Sequence, residues 1–251
     1  MADQGPIGFG VDVGGSGVKG ATVDLSSGEL TTERIKILTP QPSTPDAVAD
    51  TVAKIVEQAR WDGPVGVTLP SVVKGGIART AANIDKSWID TDAHKLFSDV
   101  LGGRDVTIVN DADAAGLAED AHGAGRDVRG VVMMLTFGTG IGSAVLNHGV
   151  LLPNTEFGHI EVDGKEAEHR AASSVKERND WPYSKWAKEV SKVLRTYEAL
   201  LWPDLFVVGG GISRKSDKWI PLLTCDTPVV PAKLLNTAGI VGAAMATRWE
   251  L

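Results

Sequence analysis

The sequence contains one cysteine, Cys225, among its 251 residues. A single cysteine excludes a disulfide within the chain and a zinc site built from several thiolates of one chain. No neighbouring residue of Cys225 favours a thiolate, so a redox role is not expected. We interpret Cys225 as a small, partly buried loop residue.

Long apolar runs are also missing. No stretch approaches the roughly 18 apolar residues that a membrane-spanning helix needs. The first residues lack the basic and apolar regions of a signal peptide. We therefore expect a cytoplasmic protein.

Positive charge is in deficit, since 25 Lys and Arg stand against 32 Asp and Glu, for a formal net charge of -7. This balance argues against a protein that coats nucleic acid or an anionic membrane through its overall field, although it is compatible with a local basic patch. Linkers, low-complexity tracts and short-period repeats are absent from the sequence.

Glycine is abundant by contrast, with 29 residues that fall in clusters between apolar segments. The pattern of apolar residues predicts an α/β protein whose first three strands are antiparallel and joined by hairpins. The predicted strands are 6–13, 18–25, 30–38, 65–69, 106–109, 130–137, 141–146 and 205–208. The predicted helices are 45–60, with Thr44 as N-cap, 91–101, 183–201 and 238–249.

The first glycine turn links two of these strands. Such a turn exposes backbone N–H groups to a phosphate, and its candidate binding residues are Asp12, Gly14, Gly15, Ser16 and Lys19. The acid is a candidate to hold a hydrated Mg²⁺ ion, the hydroxyl to donate a hydrogen bond and the lysine to place a charge near the phosphates. Walker loops and dinucleotide fingerprints open helices, so this turn is neither. An ordinary glycine hairpin is the alternative.

Two further glycine turns follow. One repeats the strand, turn, strand arrangement, and the other ends a buried strand without side chains, where a flat base or a long anion can lie against the backbone. For the last turn a purely structural role is the alternative. The candidate phosphate-binding or nucleotide-binding residues here are Thr136, Gly138, Thr139, Gly140, Gly209, Gly210 and Gly211.

Asn110 and Asp111 follow the strand 106–109 directly. In open α/β sheets, ligands bind at the carboxyl ends of the strands. The pair is therefore predicted to function in binding or catalysis.

The three glycine turns, the segment Val109-Asn110-Asp111-Ala112-Asp113 and the segment Glu156-Phe157-Gly158-His159 together resemble the ROK family of repressors and sugar kinases. The resemblance extends from Ile7 to about Ala246. It implies an α/β, actin-like ATPase (ribonuclease H-like) fold with two lobes around a central cleft. The implied small lobe is 1–109 plus 236–251, including a returning C-terminal helix, and the large lobe is 110–235.

The resemblance also implies an activity, the phosphorylation of the 6-hydroxyl of glucose, and also of mannose, with Mg²⁺ and with inorganic polyphosphate or ATP as donor. Asp111 matches the family's catalytic base. The residues matching positions that bind sugar hydroxyls are Asn83, Asn110, Asp111, Glu156, His159 and Glu168. Residues 80–88 are similar to the members that use polyphosphate.

One departure from the family concerns zinc. Many relatives have a cysteine-rich zinc loop after the Gly-His pair, whereas residues 162–173 contain no cysteine. We predict no structural zinc and a role in sugar binding alone for His159. The remaining histidines show no spacing that suggests a site, and we interpret them as surface or structural residues: His94, His122, His148 and His169.

Several alternatives stay open. Polyphosphate needs a basic track, for which the candidates are Lys19, Arg126, Arg129, Arg214 and Lys215. A kinase for fructose or N-acetylhexosamines would keep the chemistry and change the pocket. A sugar-responsive ROK regulator is disfavoured, because the first phosphate strand begins by Ile7 and leaves no room for an N-terminal DNA-binding motif. A homodimer is implied by the resemblance, and seven tryptophans are compatible with an interface.

Overall fold

The structure is a computed structural model that describes residues 7–248. Its strands are β1 Ile7–Gly14, β2 Gly17–Asp24, β3 Glu29–Leu30, β4 Ile35–Ile37, β5 Val65–Leu69, β6 Val73–Lys74, β7 Ile77–Ala78, β8 Val106–Asn110, β9 Val131–Phe137, β10 Ile141–Asn147, β11 Val150–Leu152, β12 Glu161–Val162, β13 Lys165–Glu166, β14 Leu205–Gly209 and β15 Val229–Pro231. Its helices are α1 Pro45–Gln58, α2 Ala93–Val100, α3 Asp111–His122, α4 Ala167–Ala171, α5 Ser173–Arg178, α6 Tyr183–Leu201 and α7 Ala238–Ala246. Among the described helices, none is both long enough and apolar enough to cross a membrane.

The first of two compact units consists of residues 7–118 and 236–248. Its main sheet has the strand order β3-β2-β1-β5-β8, and β4 also pairs with β2. Strands β1 and β2 form an antiparallel hairpin, while β1, β5 and β8 are parallel. The carboxyl ends of three strands therefore meet at one edge of this sheet.

Helix α7 packs directly on the backbone of this sheet. A Cβ atom at Gly10 would lie 1.9 Å from the carbonyl oxygen of Ile240, and one at Gly66 would lie 1.8 Å from that of Ala243. Only glycine permits so close an approach. The last described helix is thus part of the core of the first unit.

The second unit is Glu119–Leu235. Its sheet has the order β11-β10-β9-β14-β15, with β9 and β10 antiparallel and β9, β14 and β15 parallel. As in the first unit, a hairpin with a glycine turn is followed by parallel strands. Its core contains the buried rings of Phe137, Trp186 and Trp219, and the two indoles lie 4.9 Å apart at an angle of 66°.

Helix α3 was not predicted from the sequence. Residues 112–119 are all buried, so α3 has no polar face and no amphipathic stripe. Its early part packs against α7, since a Cβ at Gly242 would lie 1.8 Å from the carbonyl oxygen of Ala114. The boundary between the two units falls inside this helix, after Ala118.

Glu119 is the first residue of the second unit, and its side chain is fully buried. Its carboxylate accepts hydrogen bonds from the backbone N–H groups of Ala124 (2.8 Å), Lys233 (3.0 Å) and Leu234 (2.7 Å). A buried carboxylate is tolerated where such donors satisfy it. Glu119 therefore joins the beginning of the second unit to its end.

The predicted strand 30–38 is wrong, because two short strands, β3 and β4, replace it. Thr31 and Thr32 interrupt the ladder beside Thr22: the Thr31 hydroxyl donates to the Thr22 hydroxyl (2.7 Å), and the Thr22 N–H donates to the Thr32 hydroxyl (3.3 Å). Side-chain hydroxyls thus replace part of the backbone pairing. Thr44 is the N-cap of α1, as predicted, but its side chain makes no capping hydrogen bond.

Candidate active site

Asn110 and Asp111 lie at the junction of β8 and α3. The buried Asn110 side chain accepts hydrogen bonds at Oδ1 from the N–H groups of Ala112 (2.8 Å) and Asp113 (3.1 Å). Its Nδ2 donates to the carbonyl oxygen of Ser71 (3.0 Å). Asn110 thus satisfies two N–H groups of the first helical turn, while Asp111, the first residue of α3, is exposed.

Asn83 lies apart from this network. It is exposed in the loop between β7 and the 3₁₀ turn Lys86–Trp88. The loop is anchored beyond it, because the Trp88 indole N–H donates to the carbonyl oxygen of Ser43 (2.9 Å). Within residues 7–248 no hydrogen bond of the Asn83 side chain joins it to Asn110, so its sugar-binding role stays a prediction.

Asp12 lies near the end of β1, at the same sheet edge as Asn110. Its Oδ1 accepts from the Thr68 hydroxyl (3.2 Å), and its Oδ2 pairs with Lys19 Nζ (3.1 Å). A Cβ at Gly239 would lie 2.9 Å from the Asp12 carboxylate, so glycine there leaves room for the acid. One strand separates β1 from β8, which puts the two ends about 10 Å apart.

The two glycine turns of the second unit are adjacent. Gly209 is the register partner of Thr136, so β14 and β9 end side by side. Gly210 has a φ of +84°, and a Cβ there would lie 2.3 Å from the carbonyl oxygen of Phe137. The structure therefore brings the second and third predicted phosphate-binding turns together.

Glu168, in the first turn of α4, lies against the second turn. Its Oε2 accepts from the N–H of Ile141 (3.4 Å), and a Cβ at Gly140 would lie 2.3 Å from the same oxygen. The Glu168 carboxylate thus occupies the space that a side chain at Gly140 would take, and a side chain there would displace it. The Gly138 N–H donates to the Gly140 carbonyl oxygen, so this N–H is not available to a phosphate.

Glu156 precedes the 3₁₀ turn Phe157–His159, which is fixed from two sides. The Phe157 N–H donates to the Ser143 hydroxyl (3.0 Å), and the Tyr197 hydroxyl donates to the Phe157 carbonyl oxygen (2.7 Å). The turn therefore presents Glu156 and His159 from a rigid base. Burial raises the pKa of Glu156, His159 opposes the rise and Glu168 adds to it.

His159 lies within a cluster of carboxylates. Its Nε2 is 3.7 Å from Glu156, and its Nδ1 is 3.4 Å from Glu166 and 3.9 Å from Glu168. His169, interpreted from the sequence as a surface or structural residue, is exposed and lies beside this cluster: its Nδ1 is 3.4 Å from Glu166 and its Nε2 is 3.8 Å from Glu168. The start of α4 carries both Glu168 and His169 toward this cluster.

The same cluster places three potential metal ligands close together. One ligand atom from each of His159, Glu166 and Glu168 lies within 4.8 Å of the others. Two carboxylates and one imidazole are a sparse set for structural zinc, which takes four ligands from cysteine, histidine or acid. The prediction that the protein has no zinc stays a prediction.

The basic candidates do not lie together within the second unit. Arg129 precedes β9, whereas Gly138 follows it, so the length of this strand, about 20 Å, separates them. Arg126 lies before Arg129, at the same end. By contrast, the exposed Arg214 and Lys215 come after Ile212 and Ser213 in the 3₁₀ segment Gly211–Lys218, within one or two turns of the third glycine turn.

A profile described as the ROK family matches residues 8–174. The chain belongs to the ROK family. It is 66% identical over 240 residues, 96% of this chain and 91% of the relative, to a polyphosphate glucokinase of Mycobacterium tuberculosis.

Solved structures are also similar to this chain. The inorganic polyphosphate/ATP-glucomannokinase from Arthrobacter sp. strain KM superposes with a TM-score of 0.90 at 46% identity, covering 96% of this chain and 98% of that one. A ROK family transcriptional regulator, a homolog of the E. coli MLC protein, has a TM-score of 0.80 at 18% identity, covering 99% of this chain and 79% of that one. At this identity, the similarity to the regulator shows only that the two proteins share a fold. These likenesses confirm the predicted α/β actin-like ATPase fold.

Proposed function

We propose that this ROK protein is a hexokinase-type phosphotransferase that transfers the terminal phosphoryl group of inorganic polyphosphate to the 6-hydroxyl of glucose. The similarity to the mycobacterial polyphosphate glucokinase supports the substrates. The observation that carries the chemistry is an exposed carboxylate, Asp111, in the first turn of a helix capped by Asn110.

Asp111 accepts the proton of the 6-hydroxyl as that oxygen attacks the terminal phosphorus. A hydroxyl is a weak nucleophile, and a positioned base assists it by a factor of roughly 10² to 10⁴. The phosphorus to bridging-oxygen bond breaks, and the shortened polyphosphate leaves with the bridging oxygen. Negative charge shifts to that oxygen, so donors near the phosphates contribute most of the remaining assistance.

Sugar hydroxyls need both hydrogen-bond donors and acceptors. We assign sugar binding to Asn83, Asn110, Asp111, Glu156, His159 and Glu168. Asn110 uses one Nδ2 hydrogen on Ser71, which leaves the second hydrogen for a sugar oxygen. Because the Glu156 turn is held by Ser143 and Tyr197, its carboxylate can bind a hydroxyl at little entropic cost.

The phosphate-binding assignment rests on three glycines, one in each glycine turn. Gly15, Gly138 and Gly211 have no left-handed φ, and a Cβ at any of them would have open space. Neither backbone conformation nor packing within residues 7–248 requires glycine at these positions. Close approach of a bulky anion to the backbone does require it.

Asp12 would hold Mg²⁺ through water. Mg²⁺ keeps several waters and is bound through one or two carboxylates together with phosphates, and the partly exposed Asp12 with the space left by Gly239 fits that requirement. When bound, the ion would neutralise charge on the phosphates. Lys19 is paired with Asp12, so it orients this carboxylate besides adding charge.

ATP is the second donor we propose, because the Arthrobacter relative is described as a polyphosphate/ATP enzyme and the turn Gly209–Gly211 is free of side chains. The same relative is a glucomannokinase, which supports mannose as a second acceptor. A homodimer and the absence of structural zinc complete the proposal.

The test is the production of glucose 6-phosphate measured with polyphosphate and with ATP, each with and without Mg²⁺. Mannose, fructose and N-acetylhexosamines replace glucose in parallel reactions. The proposal expects magnesium-dependent product from glucose with polyphosphate. Activity confined to N-acetylhexosamines, or to ATP, would overturn the acceptor or the donor respectively.

A further inference from the structure

Lys36, in β4, lies in a row of charged residues across the first sheet. Lys19 of β2 is the register partner of both Asp12 in β1 and Lys36 in β4. Directly opposed residues on neighbouring antiparallel strands point to the same face of a sheet. The three side chains therefore share one face beside the first glycine turn.

The charges in this row do not cancel. Asp12 is paired with Lys19 at 3.1 Å, with about four-fifths of each side chain removed from solvent. The exposed ammonium of Lys36 has no acidic partner within residues 7–248. Lys36 therefore leaves one positive charge uncompensated beside the Asp12–Lys19 pair.

Gly17 shows where the side chain of Lys36 runs. A Cβ at Gly17 would lie 2.7 Å from Lys36 Cε and 3.6 Å from its Cγ. Gly17 has no left-handed φ, so its backbone conformation does not demand glycine. The aliphatic part of Lys36 crosses the end of the turn and occupies the space that a side chain at Gly17 would take.

We propose that Lys36 is a binding residue for the polyphosphate donor, which it contacts at the turn Gly14–Gly17. The inference rests on the proposed function and adds a residue that the motif did not indicate. Lys19 is already neutralised by Asp12, so Lys36 provides the free cation at this turn. A polyanion at the turn would pair with this free ammonium group and gain a charge-assisted hydrogen bond.

The experiment compares Lys36→Gln with Lys54→Gln, which removes an exposed lysine from α1 of the same unit. Initial rates are measured over a range of polyphosphate concentrations at saturating glucose, and over a range of glucose concentrations at saturating polyphosphate. We expect Lys36→Gln to raise the KM for polyphosphate about tenfold, as for the loss of one charged hydrogen bond, with the KM for glucose unchanged. Lys54→Gln should match the wild type.

Two further variants separate binding from a structural role. Lys36→Arg should keep the wild-type KM for polyphosphate because it keeps the charge. Gly17→Ala should reproduce the Lys36→Gln defect, with little loss of thermal stability, because its methyl group displaces the flexible end of Lys36.

A wild-type KM for polyphosphate in Lys36→Gln would overturn the inference and leave the proposed function intact. Equal changes in both KM values and in kcat would overturn it as well, because they would indicate a disturbed fold. A wild-type enzyme that ignores polyphosphate and uses ATP would refute both the donor proposal and this inference.

Discussion

Asn110 caps the helix whose first residue is Asp111, and its Oδ1 lies 2.8 Å and 3.1 Å from the second and third backbone nitrogens of that helix. A residue predicted to bind sugar thus also fixes the backbone that carries the proposed base. The two roles are compatible, because the Asn110 amide retains one N–H beyond its bond to Ser71.

Replacing Asn110 with alanine should therefore affect stability and turnover together. The lost cap is expected to lower the free energy of unfolding by about 1 kcal/mol. Turnover should fall because Asp111 loses its fixed backbone. Asp92→Ala is the matched control, since Asp92 caps α2 by accepting from the Lys95 N–H (2.8 Å). Denaturant unfolding should show similar losses of stability in the two variants. The kcat should fall in Asn110→Ala and stay normal in Asp92→Ala. An equal loss of turnover in both variants would contradict the positioning role of Asn110.

Asp111→Asn should lower kcat by about 10² to 10⁴ while glucose affinity stays within a few fold. The amide keeps the size and polarity of the side chain but cannot accept the hydroxyl proton. Asp105→Asn alters an exposed acid just before the opposite end of β8 and should leave kcat unchanged. Near-normal turnover in Asp111→Asn would remove Asp111 from the role of base.

Gly138→Ala should impair binding of the phosphoryl donor, whereas Gly210→Ala should impair stability. At Gly138 a Cβ meets nothing, so stability should be retained while the KM for the phosphoryl donor rises. At Gly210 the φ of +84° and the Phe137 carbonyl oxygen at 2.3 Å should make alanine strongly destabilising. Thermal melts with and without polyphosphate distinguish the two effects. Gly138→Ala that binds the donor normally would remove this turn from the site.

Glu156→Gln should weaken glucose binding without destabilising the protein at neutral pH. Burial raises the pKa of Glu156 above its ordinary value of 4.5, so the folded state holds this proton more tightly than the unfolded state. The contribution of Glu156 to stability therefore falls as the pH rises from 4.5 through the raised pKa. Across that pH window, the melting temperature of the wild type should fall relative to that of Glu156→Gln. The opposite trend would contradict a raised pKa for Glu156 in the folded state.

Glu119→Gln and Asp120→Asn should have opposite effects on stability, although the residues are neighbours. Glu119 accepts three backbone hydrogen bonds. The NH₂ group of a glutamine would face one or more of these backbone N–H donors and could not accept from them, which should lower the free energy of unfolding by roughly 2 kcal/mol. Asp120 has its pKa raised by burial alone, so a neutral amide should be tolerated or stabilising at neutral pH. Denaturant midpoints measure both, and protection of the Lys233 and Leu234 amides from hydrogen exchange should fall only in Glu119→Gln.

The elements that were predicted well are those whose local pattern and burial agree. Helix α6 has the predicted bounds, because its buried side chains, from Trp186 to Tyr197, recur with the helical period. Strand β5 is likewise as predicted, since five consecutive buried residues form it. Helix α3 was missed because its small residues are buried on all sides, and periodicity carries no signal there.

The position of a candidate residue in the fold was predictable where the chain itself joins a motif to a strand end, as at Asp12 and Asp111. Positions fixed by partners distant in sequence were not. The Tyr197 hydroxyl reaches Phe157 across 40 residues, and Lys36 reaches Gly17 only because β4 pairs with β2 in one particular register. His169 gave no signal for a related reason, since its spacing from His159 matches no motif.

Helix α7 also constrains how the chain can mature on a ribosome. Its carbonyl groups touch the sheet at Gly10 and Gly66, so one face of the earliest strands lacks its covering layer until Ala238–Ala246 has been synthesised. Residues 119–235 emerge before that segment and contain their own sheet and aromatic core. The middle of the polypeptide is therefore free to mature first, while the segment translated first waits for the segment translated last.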